Sequence, residues 1–471
     1  MGSDLTHTRK RPRHYYHGQV IKKTRAKVQF ADLPDDLLSM ILSKLPLKEA
    51  ARTVILSSKW NDVWRVCPKL RFDGFTVCSD IVFGGEQYTQ KFIDNVNAVM
   101  QKHQCMVVEE LVIKFGFDHR VLDHINTWVA FAISSRTKSL ALDLGPVDIQ
   151  GRIDQYRFPV EPLDNRSISR LRHLQLSVAS FELPPQFSGF PNLRAHDLHL
   201  VNVTRKDLQD MLSNCINLEW FSMVRCHLND ELIVARPLSN LIYLRVAHCK
   251  ITKIVLHAVE LKTFLFYGRL YPIDLGHTPK LKHTFLDIYS LLTVEHALTV
   301  LPKVLPSVQD LTLHAHFTLK MPLLMENPCK FYQLKYLHLN LSIGHKEAAN
   351  ILSFASFLRA APSVEKLEMH FSVLAIPHRV SEPIKSLPRC PHSYLKNLHI
   401  TGFSGTTGQL EFLVHVVENA PALKILTIKG ADSIGRDLNH EGKRKFSFKF
   451  RELERKYLHG IISPNVDLRI I

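Results

Sequence analysis

No two of the eight cysteines, at positions 67, 78, 105, 215, 226, 249, 329 and 390, stand as C-x-x-C. That spacing excludes a RING or zinc-ribbon module, and in a reducing compartment it predicts free, buried thiols. No G-x-x-x-x-G-K-[ST] occurs. The stretch Gly402-Phe-Ser-Gly405-Thr-Thr-Gly408-Gln409 lacks the lysine and follows an extended pattern, so it reads as a turn. Neither H-E-x-x-H nor G-x-S-x-G is present, which removes the scaffolds of zinc-protease and serine-hydrolase chemistry. His314-Ala-His316 puts two imidazoles on one strand face, but alternate strand residues share a face by geometry alone. The 26 histidines show no ligand spacing, so no metal and no cofactor are expected. No stretch reaches the roughly 18 apolar residues of a membrane span, and the basic N-terminus lacks an apolar core segment. Neither a membrane partner nor a secretory leader is expected.

Positive charge, by contrast, is plentiful: the net charge is +16, from 60 Lys and Arg against 44 acids. Residues 1–27 hold eight of the bases, Arg9, Lys10, Arg11, Arg13, Lys22, Lys23, Arg25 and Lys27, and a single acid, Asp4. Residues 1–29 have neither helical nor strand period and read as a basic disordered tail. The spacing of Arg9, Lys10, Arg11 and Arg13 from Lys22 and Lys23 is that of a bipartite nuclear import signal, which predicts nucleus and/or cytoplasm. A merely solvating arm is the alternative. The positive charge is richest in this tail and the strands lack a basic stripe, so nucleic acid ranks last among partners.

Residues 32–64 concentrate a different signal. Pro34 suits the first turn of a helix, and Asp35 and Asp36 favour its positive end. Leu37, Leu38, Ile41, Leu42 and Leu45 recur at helical spacing until Pro46. Residues 47–55 predict a second helix, and Ser57 an N-cap for a third carrying Trp60 and Trp64. Three short helices in about 40 residues bury too little surface to stand alone, so their large residues are expected to be completed by a partner. The order Leu33-Pro34, Leu37, Ile41, Leu45-Pro46-Leu47, Ala50-Ala51-Arg52, Leu56-Ser57 and Trp60…Trp64 resembles the F-box of plant F-box proteins. Asn61 and Asp62 depart from the basic or large polar residues of many relatives. The resemblance implies that residues 30–70 dock on a Skp-type adaptor, and through it on a cullin. Leu33, Pro34, Leu37, Ile41, Leu45, Pro46, Leu47, Leu56 and Trp60 would make the contact. The alternative is an ordinary helical bundle packed on the rest of the chain.

Residues 71–107 read as a linker or first packing segment with its own strand and helix. From 108 a repeat L-x-x-L-x-L appears, apolar at n, n+3 and n+5, with n at 108, 137, 171, 193, 218, 241, 261, 281, 308, 334, 364, 395 and 423. Three positions break it: Thr137, His196 and Thr284. Intervals of 20 to 34 residues approach the length of a leucine-rich repeat. Pro191, Pro279, Pro306, Pro362 and Pro421 all stand at n−2, where a proline would stop a helix and start an extended segment. Cys226 and Cys249 fall at n+8, where a small residue lets the chain turn under the stack. Stretches 206–212, 347–358 and 409–417 carry apolar residues at helical spacing. The expected fold class is α/β: a three-helix F-box, then a right-handed leucine-rich-repeat solenoid over 108–390, parallel strands concave and helices convex. An α/β domain with its strands in another order is the alternative.

Residues 391–471 add a second resemblance. His392-Ser-Tyr-Leu395-Lys-Asn-Leu-His-Ile400, Gln409-Leu-Glu411-Phe and Glu418-Asn419-Ala420-Pro421-Ala-Leu423 look like the FBD-type terminal region of plant F-box and leucine-rich-repeat proteins. Residues up to 428 would be the closing repeat and 429–471 its polar cap. With n+3 and n+5 inward, n+2, n+4 and n+6 face outward. Those positions hold Trp220, Tyr243, Arg245, Tyr267, Tyr336, His338 and Asn340, and aromatics and Arg are what interfaces concentrate at their centres. Scattered side chains on an unused sheet are the bland alternative. The family resemblance implies a non-catalytic substrate receptor of a cullin–RING ubiquitin ligase, holding adaptor and cullin at one end and an unknown client protein at the other. A small-molecule-sensing F-box receptor, or a scaffold without a ligase role, are the rivals.

Overall fold

The computed structural model describes residues 33–42, 44–45, 65, 67–78, 85–104, 107–116, 119–145, 155–160, 168–184, 187, 189–319, 325, 328–373, 383–430 and 450–471. Every strand expected from the repeat is present, and each begins at n+2. They are β2 (Glu110–Lys114), β3 (Ser139–Asp143), β5 (His173–Ser177), β7 (Ala195–His199), β8 (Trp220–Val224), β10 (Tyr243–Ala247) and β12 (Thr263–Gly268) in the first half. In the second half they are β14 (His283–Leu292), β15 (Asp310–Phe317), β16 (Tyr336–Ile343), β17 (Lys366–Val373), β18 (Asn397–Phe403) and β19 (Ile425–Gly430). Two strands lie outside the repeat as read from sequence. β1 (Lys69–Asp73) precedes β2, and β20 (Asp467–Ile470) follows β19. All fifteen form one parallel sheet in chain order, the arrangement of a solenoid.

The alternation follows the pleat. Leu171, Leu174 and Leu176, like Leu334, Leu337 and Leu339, are buried, each contributing roughly 1.5–3 kcal/mol by leaving water. Position outweighs residue type: Thr137, His196 and Thr284 are buried as deeply as their apolar counterparts. Thr137 Oγ1, His196 Nε2 and Thr284 Oγ1 have no hydrogen-bond partner among the described residues.

The other side of the sheet is not uniformly helical. Five of the six intervals of 25 to 30 residues between repeat starts enclose a described helix: α4 (Leu122–Ser134), α5 (Arg205–Ser213), α6 (Val294–Val304), α7 (Ala355–Ala360) and α8 (Thr407–Asn419). The starts 218, 241, 261 and 281 are at most 23 residues apart, too close for strand, two turns and helix. There the chain forms short strands, β9 (His227–Ile233), β11 (Lys250–Val255) and β13 (Ile273–Asp274), joined in a second parallel sheet. β4 (Tyr156–Arg157) and β6 (Ala179–Ser180) pair likewise. Where helices pack on one another, as α7 does on α6 and α8, they need about 8–10 Å each against about 4.8 Å per strand, a mismatch that favours a bend with the long sheet inside. Pro306, Pro362 and Pro421 follow helices as expected, whereas Pro191 and Pro279 open turns that no described helix precedes.

The described part of 71–107 holds a helix, as expected of a first packing segment, and its apolar residues join the core of the repeats. α2 (Gly74–Val77) follows β1 directly, and α3 (Glu86–Lys102) buries Tyr88, Phe92 and Val96. Phe92 stacks on Phe115 at 4.2 Å between centroids and meets Trp128 of α4 edge-on. The expected polar cap 429–471 likewise supplies a further strand, β20, paired with β19.

The turn leaving each strand is strained in four consecutive units. The n+7 residues Val178, Leu200, Arg225 and His248 all have φ between 53° and 55°, a region that costs an L-residue about 1–2 kcal/mol. Cys226 and Cys249 at n+8 turn the chain beneath it, their thiols donating to Leu198 O (3.4 Å) and Met223 O (3.5 Å). Cys67, Cys78, Cys215 and Cys226 are buried as expected, but Cys249, Cys329 and Cys390 are half-buried. Arg225 is exposed, so Arg225→Gly removes the clash at little loss of packing. Allowing for the added freedom of the unfolded chain, it is expected to gain about 0.5–1 kcal/mol, read as a higher urea midpoint at unchanged slope; a lower midpoint would contradict the strain.

Among the described residues no helix is long and apolar enough to cross a membrane.

Candidate functional site

Two surfaces and one strapped terminus collect the residues singled out by sequence. The first surface is α1 (Asp35–Leu42), whose opening turn is closed by Leu37 N and Leu38 N donating to Pro34 O at 3.0 and 3.1 Å. Leu38 is fully buried, yet it lies apart from the continuous core that runs from Leu70 to Leu458. Leu37, Met40 and Leu45 remain 43%, 57% and 39% exposed. Leu33 and Ile41 are half-buried and Pro34 is exposed. Periodicity marks Leu37 and Leu38 alike; only packing separates the inward leucine from the outward one, and it adds Met40. Pro46, Leu47, Leu56 and Trp60 lie outside the described residues, as do Arg9, Lys10, Arg11, Arg13, Lys22 and Lys23 of the expected import signal.

The second surface is the open face of the long sheet. Register brings the outward residues into rows: Trp220 against Tyr243, Tyr243 against Thr263, and Tyr336 against Lys366. Trp220 and Tyr243 stack nearly parallel at 3.5 Å, with Trp220 Nε1 donating to Asp197 Oδ1 at 3.2 Å. The Arg245 guanidinium lies 5.7 Å over the Tyr267 ring, and its buried Nε has no partner among the described residues. Tyr267 then tilts against Phe285 and Phe285 meets His314 edge-on, so aromatic and imidazole rings continue across five strands. Sequence reasoning missed Phe285 and His248, which stacks on Tyr289 at 5.4 Å. Phe285 stands at n+4 and follows the same outward rule.

His338 carries the row one strand further, edge-on to His314 at 6.0 Å between centroids, with Tyr336 two residues before it on the same strand. They line an open concavity of about 270 Å³ with Asp310, Thr312, Lys366 and Glu368. The Glu368 carboxylate accepts from Lys366 Nζ at 2.5 Å, which holds it below the usual carboxylate range, and lies 3.6 Å from His338 Nδ1. Burial keeps His314, His370 and His399 below the ordinary imidazole range. Among the described residues no group of His, Cys, Asp and Glu is arranged to hold a metal, and His314 and His316 gather no third ligand.

At the C-terminal end α8 turns a polar stripe inward. Glu411, His415 and Asn419 are buried four residues apart along the helix. Glu411 accepts from Lys385 N at 2.7 Å and Asn419 Oδ1 from Cys390 N at 2.8 Å, while His392 N donates to Asn419 O at 2.6 Å. These bonds strap residues 385–392 along the helix. Burial raises the Glu411 carboxyl and lowers the His415 imidazole. The loop before α8 is closed by Gln409: its Oε1 accepts from Ser404 N, Gly405 N and Thr406 N, and its Nε2 donates to Gly402 O. Three backbone N–H groups converging at a helix start are the layout of a phosphate cradle, but here the chain's own amide fills it. Gly402 has φ +69°, and a Cβ there would collide with Phe371 O.

Comparison with known proteins agrees with this division. Residues 30–72 match the F-box domain model, and residues 99–457 match the model described as the At1g61320/AtMIF1 LRR domain. Three similar proteins come from Arabidopsis thaliana. F-box/FBD/LRR-repeat protein At1g13570 is 24% identical over 417 residues, covering 85% of this chain and 91% of the relative. Putative FBD-associated F-box protein At5g56410 is 25% identical over 429 residues, covering 86% and 81%. Putative F-box/FBD/LRR-repeat protein At5g62970 is 25% identical over 462 residues, covering 88% and 96%. With a repeat-domain model spanning most of the chain, an F-box at its head and a strapped terminal region in the FBD position, the chain belongs to the plant F-box/leucine-rich-repeat family and carries an FBD-like C-terminal region.

Proposed function

We propose that this chain is the substrate receptor of an SCF-type ubiquitin ligase, with its F-box on a Skp-type adaptor and its repeats on a client protein. The observation that carries this reading is Leu37, Met40 and Leu45 lying open on the segment matched to the F-box, apolar surface that a partner helix would cover. The chain itself supplies no catalytic group in this scheme. It acts by geometry: tethering holds a client lysine near the ubiquitin thioester at an effective concentration in roughly the mM range for a short linkage.

The experiment is co-purification with the adaptor. Leu33→Ala/Pro34→Ala is expected to cut adaptor recovery at least tenfold while the repeats keep their thermal midpoint. Recovery equal to the parent protein's would overturn the assignment. A small-molecule sensor is the lesser reading: the concavity at Asp310, Tyr336 and Glu368 is polar and, at about 270 Å³, below the roughly 300–1,000 Å³ of typical ligand pockets, and the larger opening of about 480 Å³ beside Leu122, Val129 and Pro159 lies along α4, away from the outward aromatic row.

A further inference from the structure

The residues at n+1, just ahead of each strand, form a row that the outward positions n+2, n+4 and n+6 do not reveal. Their backbones are joined without a break: each n+1 N–H donates to the n+1 carbonyl of the preceding repeat, from Lys138 on Glu109 to Lys424 on Lys396. Neighbours in the row are therefore one strand spacing apart, about 4.8 Å. Eight of its thirteen members are Lys or Arg. Its three acids are already held, Glu109 by Lys138 at 2.9 Å, Glu219 by Arg194 at 3.3 Å and Glu365 by Lys396 at 2.7 Å. Lys262, Lys282 and Lys335, the last two with the neutral Gln309 between them, are exposed and carry no ion pair among the described residues. The row's single apolar member, Ile242, is 37% exposed and abuts this basic run, next to the Trp220–Tyr243 stack.

We propose that this rim captures an extended acidic segment of the client. An apolar anchor would lie on Ile242 and the aromatic stack, and carboxylates would follow across Lys262, Lys282 and Lys335. The inference rests on the client-receptor reading above and names the chemistry that reading leaves open. An extended peptide rises 3.2–3.4 Å per residue, so it spans the four strand spacings from Ile242 to Lys335, about 19 Å, with roughly six residues. A nucleic acid fits less well. A duplex has evenly spaced phosphates on its surface and no apolar group to place on Ile242.

The test uses the full chain bound to its adaptor and two fluorescein-labelled peptides, Leu-Phe followed by six glutamates and the same peptide with six glutamines. The acidic peptide is expected to bind at least tenfold more tightly than its glutamine counterpart in low salt, with the difference shrinking as salt rises. Lys262→Glu/Lys282→Glu/Lys335→Glu is expected to lose at least tenfold toward the acidic peptide. These lysines are exposed, and the basic tail is retained in both proteins as a constant background. Undiminished affinity in the triple variant overturns the rim. So does a 12-base-pair duplex that binds more tightly than the peptide through the same three lysines. Adaptor recovery from the same samples separates the two readings: its absence in the parent protein overturns the ligase reading, whereas full recovery with a variant-insensitive peptide overturns only the rim.

Discussion

Gln409→Ala is expected to cost about 3–5 kcal/mol in the C-terminal repeats, the largest effect of any single side chain considered. The residue is 1% exposed, and its amide is the acceptor for three backbone N–H groups and a donor to Gly402 O. Truncation leaves those groups buried without partners, at about 1–3 kcal/mol each, less whatever water enters the gap. It also removes the N3 half of the capping arrangement at the start of α8. Gln409→Glu is the informative companion. A carboxylate accepts the same three N–H bonds but sets its second oxygen against Gly402 O unless that oxygen is protonated, so its loss should be smaller than alanine's and shrink as pH falls. Chemical denaturation together with amide exchange over 404–419 measures both. Equal losses for Ala and Glu would mean that the loop depends on the bulk of residue 409 and not on its acceptor.

The second large effect is acid lability. His196 and His392 are buried and their imidazoles are lowered to about 4, in both cases chiefly by burial; backbone hydrogen bonding to Leu174 O opposes the shift at His196, and His415 adds to it at His392. The unfolded chain binds a proton at each near pH 6.5, while the folded chain does so only near pH 4. Between those values the unfolded state holds more protons, so stability is complete above about pH 6.5 and falls as pH drops toward 4, by about 3 kcal/mol per imidazole. Glu411 runs the other way: its raised carboxyl contributes stability at low pH that is lost as pH rises through its folded value. His196→Leu restores the apolar residue the repeat calls for and removes the orphaned Nε2. At pH 7.5 it is expected to be neutral or stabilising, and at pH 5 it should exceed the parent by about 2 kcal/mol. Parallel stability curves for parent and variant between pH 5 and 7.5 would show that His196 is not the titrating group.

The spacing of leucines by itself determined where thirteen strands begin and which of their side chains turn inward, because a strand's period of two leaves no freedom once n+3 and n+5 must be buried. It also determined that His196 and two threonines would stand in apolar slots, and it carried the F-box and FBD resemblances. β1 and β20 escaped because 41 and 42 residues separate them from their neighbours, far beyond the other intervals, and because Asn465 holds the n position of the last unit. Other facts belong to tertiary structure alone. Leu38 is inside and Leu37 outside because of what packs on one side of α1. Three repeats turn strands outward because their loops are too short for helices. Gln409, Glu411 and Asn419 look in sequence like an ordinary polar helix face, and they become buried straps only when residues 385–406 fold onto α8. Lysines 20 and 53 residues apart in the chain become one rim only when the strands that follow them align, since a repeat fixes which way a side chain points while the stack decides which side chains stand together.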